Sequence, residues 1–319
     1  MGLGMSPKVS ILIPVFNRAH FISECIQSAL SQTFADIEVV VVDNASTDDT
    51  FEICKRLASC DIRLRIFRNE TNVGPVRNWK RCAEEAKGEF SKLLFSDDIL
   101  EPNCVAEMVR SASDSDVAFV YSAALIGDQK KTAKAYYSLR QLESLTPTRF
   151  IDLVLLGRAP VSPCAVLLRT CDLRNNIQLN FPTASLRPFG EHGAGPDVMT
   201  LFLTAKRYKQ IRHIPEPLVY FRAHPGSFSI ANSRGEVTKG YRSVFCYFLK
   251  GEFGAKAWLR YLSWIWIREL FSTRQIPNSK RLLIEYEGSG SKRERFCLLF
   301  EVGVTVIFRI FNIRRSYVN

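Results

Sequence analysis

The chain has 319 residues, of which 46% are hydrophobic and 24% charged, a balance typical of a folded soluble protein with a useful core. The length suits one large domain, or one domain with an appendage. Nine cysteines are dispersed along it, with no CxxC pair and no histidine at zinc-ligand spacing. This pattern argues against a disulfide framework and a zinc site, and it favours reduced thiols in the cytosol.

The net charge of +11 is unevenly distributed. Residues 234–319 hold 16 Lys and Arg against 7 Asp and Glu, which leaves +9 on the last quarter of the chain. A segment this basic favours a polyanionic partner: anionic lipid headgroups, nucleic acid or a phosphate-bearing substrate. The amino-terminal residues show no charged region followed by an apolar core, so we expect no signal peptide.

Strands and helices alternate along the first hundred residues. Apolar β-branched runs predict strands, and apolar residues at helical spacing predict helices. The predicted strands are Val9–Ile13, Ile37–Val42, Leu64–Phe67 and Phe90–Phe95, and the predicted helices are Phe21–Gln32, Thr50–Leu57 and Arg77–Ala86. This alternation indicates a mostly parallel sheet covered on both faces. The chain carries neither the Rossmann GxGxxG fingerprint nor a P-loop, so both of those phosphate sites are excluded.

The pattern is looser beyond Tyr121. We expect a helix over Thr146–Leu156, a strand over Cys164–Leu168, a Pro- and Gly-rich loop over Phe181–Gly195, a helix over Asp197–Tyr208 and short extended segments over Ile211–Phe221. After Arg234 the sequence becomes helical, aromatic and cationic. The chain therefore divides into residues 1–232, which hold the α/β pattern, and a helical extension over residues 233–319.

Two adjacent carboxylates, Asp97 and Asp98, follow the fourth predicted strand. Ligands bind outside the carboxyl ends of the strands in open α/β sheets. Oxygen ligands in that position suit Mg²⁺ or Mn²⁺, which would in turn bind a diphosphate. The alternative is a solvated Asp-Asp turn.

Four strings in order resemble family 2 glycosyltransferases: VSILIPVFN (Val9–Asn17), VVVVDNASTDDT (Val39–Thr50), NVGPVRN (Asn72–Asn78) and LLFSDD (Leu93–Asp98). The resemblance extends over about Lys8–Ser229. It implies the GT-A fold, an α/β/α sandwich, and transfer of a sugar from a nucleotide donor with inversion at the anomeric carbon. It also implies a cation, Mn²⁺ or Mg²⁺.

The same resemblance assigns the donor site. Pro14 and Phe16 would flank the nucleotide base, and Asp43 would accept a hydrogen bond from it, uracil being the commonest base in the family. Arg77 or Asn78 would face the base or the diphosphate. The alternatives are a turn or helix-cap role for Asp43 and a solvated first-turn position for Arg77.

The metal motif departs from the family's usual Asp-x-Asp, because Phe95 stands at the first acidic position. Asp97 matches the metal-binding carboxylate. Ser96 and Asp98 would lie with the donor, Asp98 either supporting Asp97 or contacting the sugar. His224, in a string similar to the family's Tyr-Arg-x-His, would ligate the cation and compensate for the missing carboxylate; the alternative is a surface histidine in a Pro-Gly turn.

Asp197 is the expected catalytic base. In the family a glycine-rich loop followed by an acidic pair at a helix start supplies this base, and here Pro196 replaces the first acid. Glu191 is the second candidate, and the neighbouring His192 lies close enough in sequence to matter. The alternative for Asp197 is an ordinary acidic residue favoured by the helix dipole.

The apolar stretch from Phe296 to Phe311 is interrupted by Glu301 and Arg309. As a helix it would reach only about 24 Å, short of a bilayer core of roughly 30 Å, so we expect no transmembrane span. Basic flanks at 293, 295, 314 and 315 favour an amphipathic segment in the headgroup region. The alternatives are packing on the catalytic domain and a contact between copies in a homo-oligomer. Because no nucleic-acid-binding motif accompanies the charge, we expect no nucleic acid partner.

These features together predict an inverting glycosyltransferase that uses a UDP-sugar. The expected acceptor is a glycan or lipid-linked saccharide in cell-surface polysaccharide synthesis, handled at the cytoplasmic face of a membrane. A sugar-1-phosphate nucleotidyltransferase would need a glycine-rich basic loop after the first strand, which Pro14–Arg18 does not supply. A non-catalytic binding module is the remaining alternative, since Phe95 and Pro196 depart from the family pattern.

Overall fold

The structure is a computed structural model that describes residues 6–139, 143–182, 193–227, 234–286 and 288–310. Its strands are β1 (Val9–Val15), β2 (Ile37–Asp43), β3 (Leu64–Arg68), β4 (Phe90–Leu93), β5 (Ile99–Leu100), β6 (Val117–Gly127), β7 (Lys134–Tyr136), β8 (Glu143–Leu145), β9 (Val166–Arg169) and β10 (Gln210–Arg222). They form one sheet of order β3-β2-β1-β4-β9-β6-β10-β5, with β7 paired to β6 and β8 to β10. Strands β1, β2, β3, β4, β6 and β10 run in one direction, and the other four run against them. The expected mostly parallel sheet is confirmed.

Helices cover both faces of the sheet. They are α1 (Ile22–Leu30), α2 (Thr50–Ala58), α3 (Pro75–Glu85), α4 (Cys104–Ser111), α5 (Pro147–Leu155), α6 (Thr170–Asn176) and α7 (Pro196–Ala205). Successive side chains of a strand point to opposite faces. Accordingly Ile11 and Ile13 of β1 join a core with α1, α2 and α4, whereas Leu12 joins a second core with α3, α5 and α7. This is an α/β/α sandwich, and the expected fold class is confirmed.

Three further helices form the helical extension: α8 (Arg234–Thr273), α9 (Ser279–Glu285) and α10 (Lys292–Ile310). Helix α8 is broken at Gly254, where φ is 79° and ψ is 179°. Its first part packs on α7, since the Phe202 ring lies 4.7 Å from Phe248 and 5.8 Å from Phe245. The extension and the sheet therefore share one hydrophobic core, and the division at residues 232/233 stays a prediction about sequence organisation.

Three predicted boundaries differ from the structure. Strand β1 continues through Pro14, because β4 pairs with β1 only as far as Leu12 and a proline beyond that point breaks no ladder bond. Strand β4 ends at Leu93, so the acidic pair follows a loop and not the strand itself. The segments predicted over Ile211–Phe221 are one strand, β10, with register shifts around its two prolines. Residues 183–192 of the predicted loop lie outside the described residues.

Candidate active site

Five candidate segments meet at one edge of the sheet. Strands β1, β2, β4 and β10 run the same way, so the loops that follow them lie at the same edge. These loops carry Phe16, Asp43, Asp97 and His224, in chain order. Helix α7, which begins beside this edge, carries Asp197 near its start.

The two predicted metal ligands are in direct contact. His224 Nε2 lies 2.9 Å from Asp97 Oδ2, although 127 residues separate them in the chain. The ring of Phe21 at the start of α1 packs against the His224 imidazole, with centroids 4.5 Å apart, which fixes its orientation. The structure thus brings together the two residues that sequence reasoning paired.

Arg18 is a member of this cluster that sequence reasoning missed. Its Nε lies 3.6 Å from Asp97 Oδ2, and its terminal nitrogen donates to the carbonyl of Gly226 at 3.1 Å. A guanidinium beside the carboxylate adds positive charge where a diphosphate would lie. Its position directly after the first matched string was the available signal.

Asp98 holds in place the loop that carries Asp97 and Asp98, called here the acidic loop. It is buried, and its Oδ1 accepts the backbone N–H of Arg222 at 3.0 Å, which ties the loop to the end of β10. Burial first, and the charge of Asp97 second, hold the pKa of Asp98 well above its ordinary value. Ser96 is also buried. This contact of Oδ1 suits the role of supporting Asp97, and a contact of Asp98 with the sugar stays a prediction.

Phe95, at the lost acidic position, packs into the protein. Its carbonyl accepts from the Cys25 thiol at 3.5 Å and its N–H donates to Cys164 Sγ at 3.1 Å. Its ring lies 5.4 Å from that of Trp79 on α3. At this position the chain therefore has an aromatic side chain that anchors the loop, where the family usually has a carboxylate that binds the metal.

Asp43 is fully buried at the end of β2. Its Oδ2 accepts the N–H of Ser46 at 3.1 Å and pairs with Nε of Arg68 at 3.2 Å. Its Oδ1 is buried and, among the described residues, accepts no hydrogen bond. A buried acceptor without a donor is costly, so the arrangement suits a ligand that supplies an N–H.

The expected neighbours of the base lie around Asp43. Pro14 is buried and paired with Val42, next to Asp43 on β2, whereas Phe16 is 38% exposed. Arg68 lies over the ring of Phe51, with its guanidinium carbon 4.5 Å from the centroid. Arg68 and Ser46 were missed by sequence reasoning, because Arg68 belongs to β3 and nothing in the spacing links it to Asp43.

Asn78 and Arg77 differ in their surroundings. Asn78 is buried; its amide nitrogen donates to the Val42 carbonyl at 3.0 Å and its oxygen accepts from Asn69 at 2.9 Å. Asn78 thus uses its amide nitrogen and its oxygen in contacts within the protein, and the expectation that Arg77 or Asn78 faces the donor stays a prediction. Asn78 braces the end of β2. Arg77 is exposed on the first turn of α3.

Asp197 is buried at the start of α7 and receives three hydrogen bonds. The N–H groups of Gly195 and Val198 donate to Oδ1 at 2.8 and 2.7 Å, and the hydroxyl of Tyr241 donates to Oδ2 at 2.6 Å. Burial raises the pKa of Asp197 to about 7, against these hydrogen bonds, which lower it. A carboxyl with a pKa near neutrality is suited to act as a general base. Glu191 and His192 lie outside the described residues.

Trp79 joins the loop before Asp197 to the acidic loop. A methyl group added at Gly193, where φ is 73°, would lie 2.5 Å from the Trp79 ring, so backbone and indole are in close contact. The other neighbour of that indole is Phe95. One side chain therefore spaces the two candidate halves of the site.

The Asp97–His224 pair could hold a cation only together with further ligands. Carboxylate oxygen and imidazole nitrogen are acceptable ligands for Mn²⁺, and oxygen is preferred by Mg²⁺. Within the part of the chain that the structure describes, no three His, Cys, Asp or Glu residues cluster to form a complete site. The remaining ligands would come from a diphosphate and water, as is usual for Mg²⁺-type sites.

Comparison with solved structures defines the class of fold. The chain superposes on S. aureus TarS 1-349 in complex with UDP-GlcNAc with a TM-score of 0.65 and 18% identity, covering 96% of this chain and 92% of that one. The fold is therefore GT-A, the fold that the sequence predicted.

The family follows from the sequence itself. The sequence model of glycosyl transferase family 2 matches residues 10–171, and the chain belongs to that family. Residues beyond 171, including Asp197 and His224, lie outside the matched segment.

Curated relatives are similar over part of the chain. The putative glycosyltransferase EpsH of Bacillus subtilis is 35% identical over 129 residues, 40% of this chain and 37% of that protein. The GalNAc(5)-diNAcBac-PP-undecaprenol beta-1,3-glucosyltransferase of Campylobacter jejuni is 31% identical over 131 residues, 41% of this chain and 42% of that protein. The matches span less than half the length of these relatives.

Proposed function

We propose that this chain is an inverting glycosyltransferase that moves a sugar from a UDP-sugar to a hydroxyl of a glycan or lipid-linked saccharide. The observation that carries the proposal is the pairing of Asp97 with His224 at the crevice, with Asp197, of pKa about 7, on the adjoining loop. Trp79 connects the two loops. The residues that would bind the leaving diphosphate and the residue that would act as the base therefore lie at the same edge of the sheet.

The donor's diphosphate belongs at the first of these groups. Asp97 and His224 would hold Mn²⁺ or Mg²⁺, which when bound neutralises charge that develops on the leaving diphosphate. Arg18 adds a fixed positive charge 3.6 Å from Asp97. These residues would orient the donor so that the face of its anomeric carbon opposite the diphosphate is turned toward the acceptor.

Asp197 serves the acceptor. A sugar hydroxyl is a weak nucleophile near neutral pH, and a positioned base takes its proton as the oxygen attacks. Attack from the side opposite the diphosphate inverts the anomeric carbon. Burial excludes water from Asp197 and keeps its basicity high enough for this task.

Asp43 supports a particular base for the donor. Its buried Oδ1 requires a hydrogen-bond donor, and uracil presents an imide N–H at its edge. Cytosine presents an unprotonated ring nitrogen there and would leave Oδ1 facing a second acceptor. This chemistry supports a uridine nucleotide, and it agrees with the UDP-GlcNAc bound by TarS.

Two variants test the reaction. Asp97→Ala should abolish Mn²⁺-dependent binding of a UDP-sugar in calorimetry, whereas Asp197→Asn should retain binding and lose about 10²–10⁴-fold in turnover. A thermal-shift screen of nucleotide sugars selects the donor. Equal donor affinity in Asp97→Ala and parent, or near-parent transfer by Asp197→Asn, contradicts the assignment. Retention of nucleotide without release of UDP identifies a non-catalytic binding module.

We also propose that helix α10 contacts an anionic membrane surface. Leu298, Val302 and Thr305 are buried against the rest of the extension, and Thr305 Oγ1 lies 2.9 Å from Ser263 Oγ. Phe296 and Phe300, on the opposite side, are 73% and 63% exposed. Helix α10 thus packs one side, with Leu298 and Val302, against the protein and carries a second, exposed apolar side, which an ordinary surface helix lacks.

The positive charge of the extension favours one kind of partner for the exposed side of α10. The segment 234–319 carries +9, and Lys292 and Arg293 are exposed where α10 begins. A second copy would bring two positive surfaces together, whereas an anionic leaflet complements them. No helix in the described residues is both long and apolar enough to span a bilayer. All nine cysteines are unpaired, which supports placement at the cytoplasmic face.

A further inference from the structure

A buried contact joins the helical extension to the candidate base. The hydroxyl of Tyr241 on α8 donates to Asp197 Oδ2 at 2.6 Å. The Tyr241 ring stacks on that of Phe245 at an interplanar angle of 24°, and Phe245 in turn packs on Phe202 of α7. The position of the hydroxyl is therefore set by the packing of α8 on α7.

The hydrogen bonds that Asp197 accepts determine which of its oxygens can receive a proton. An ionised carboxylate offers about four lone-pair positions, two on each oxygen. Oδ1 uses both of its positions, for the N–H groups of Gly195 and Val198. Oδ2 uses one position for Tyr241 and keeps one. A proton arriving at Asp197 has this single place to go.

We propose that Tyr241 is a positioning residue that leaves Asp197 one free acceptor position, on Oδ2, and so fixes the direction from which the acceptor hydroxyl gives up its proton. The inference rests on the proposed transferase function. It means that the base works only when the extension is in place. Both the turn before α7 and a helix outside the family's matched segment are needed to aim one carboxylate.

The proton balance of the step is simple. The acceptor O–H bond breaks and its proton goes to Asp197 Oδ2, while the acceptor oxygen bonds to the anomeric carbon. The bond from that carbon to the diphosphate oxygen breaks, and the diphosphate leaves with the electron pair. Tyr241 keeps its own proton, because burial first and the charge of Asp197 second raise the pKa of the phenol well above its ordinary value.

Tyr241 also sets the pH at which Asp197 becomes a base. Burial raises the pKa of Asp197, and the Tyr241 hydrogen bond is the first of the effects that lower it. Among the described residues, Tyr241 is the titratable group that acts on Asp197, and Tyr137 in turn acts on Tyr241. Loss of the hydroxyl should therefore move the pKa of Asp197 above about 7.

The first test is the pH profile of kcat/KM in the full chain. A base acts when deprotonated, so activity should rise with pH through about 7 in the parent. In Tyr241→Phe this limb should move up by about one pH unit, the size expected for one charge-assisted hydrogen bond. The variant should lose about tenfold at pH 6 and much less at pH 9. Tyr247→Phe, which removes a hydroxyl from the same helix, should keep the parent profile.

The second test does not need activity. A carboxyl whose folded pKa is raised stabilises the fold fully below its unfolded pKa of 3.8, and this stability is lost as pH rises through about 7. Denaturant unfolding as a function of pH should show this loss in the parent, at higher pH in Tyr241→Phe, and not in Asp197→Asn. A shifted unfolding profile without sugar transfer in the parent confirms the contact of Tyr241 with Asp197 but contradicts the transferase, and with it the role of Tyr241 toward an acceptor. Parent-like profiles in Tyr241→Phe by both measurements overturn the inference.

Discussion

Asp43 uses one carboxylate oxygen inside the protein, and its other oxygen is buried and accepts no hydrogen bond from the described residues. We predict that Asp43→Asn weakens UDP binding by about tenfold to a hundredfold, because a hydrogen bond to a charged group contributes about 1.5–3 kcal/mol. The amide also offers an N–H, so discrimination between UDP and CDP should shrink. Calorimetry with both nucleotides measures the two effects.

Asp49→Asn is the matched control for this prediction. It makes the same charge change on the same loop, and the Asp49 side chain is exposed and caps no helix N–H. The control should bind UDP as the parent does. Equal UDP affinity in parent and Asp43→Asn would show that Oδ1 serves another group.

Single residues could be predicted where the chemistry requires a particular side chain at a particular chain position. The resemblance to the family placed Asp97 and His224 at one cation, and they lie 2.9 Å apart. Arg77 or Asn78 was predicted to face the donor, and the sequence could not show that Asn78 bonds Val42 and Asn69, since an amide suits either role equally. Arg18 was missed for a related reason: its partners, Asp97 and Gly226, lie far away in the chain.

At the scale of elements, the turn that leads into α7 depends on two glycines with positive φ, Gly193 and Gly195. We predict that Gly193→Ala lowers the free energy of unfolding and displaces Asp197. The left-handed conformation costs roughly 1–3 kcal/mol, and the contact with Trp79 adds a similar amount from overpacking. Chemical denaturation measures the first effect, and the Asp197-dependent pH profile reports the second.

Gly157→Ala separates the two causes. Gly157 also has a positive φ, of 70°, yet a methyl group there meets nothing within 4 Å. This variant should show the conformational cost alone, without an effect on transfer. If Gly193→Ala and Gly157→Ala lower the free energy of unfolding equally, the Trp79 indole moves aside without cost. Trp79 would then not fix the distance between the two loops.

The parallel strands and their helices were predictable because burial on both faces leaves uninterrupted β-branched runs, as in Val39–Val42. The second half was harder to predict. Strand β6 was not recognised, and β10 was divided at its prolines, because pairing to β6 and not local propensity keeps that strand continuous. Long-range pairing of this kind leaves no local signal in a single sequence.

At the scale of the whole molecule, charge and apolar surface coincide on the extension. We predict that Phe296→Ser combined with Phe300→Ser lowers co-sedimentation with anionic vesicles by at least about tenfold, since full burial of each ring contributes roughly 1.5–3 kcal/mol. Binding should weaken with salt and be weaker for neutral vesicles, because each basic residue near the surface contributes about 1 kcal/mol.

Ile62→Ser controls for loss of any exposed apolar side chain, because Ile62 is 97% exposed on the opposite half of the chain. It should pellet with vesicles as the parent does. Unchanged pelleting of the double phenylalanine variant, with a lower molecular mass in sedimentation equilibrium, would instead assign the face to a contact between copies.

The packing of Phe202 against Phe245 and Phe248 has a practical consequence for protein engineering. A chimera cut where the matched family segment stops, near residue 171, inherits the strands proposed to hold the nucleotide but neither Asp197 nor Tyr241, whose hydroxyl donates to it. Exchange of acceptor preference between related enzymes should therefore move α7 together with the first part of α8, up to the break at Gly254, as one transplantable unit.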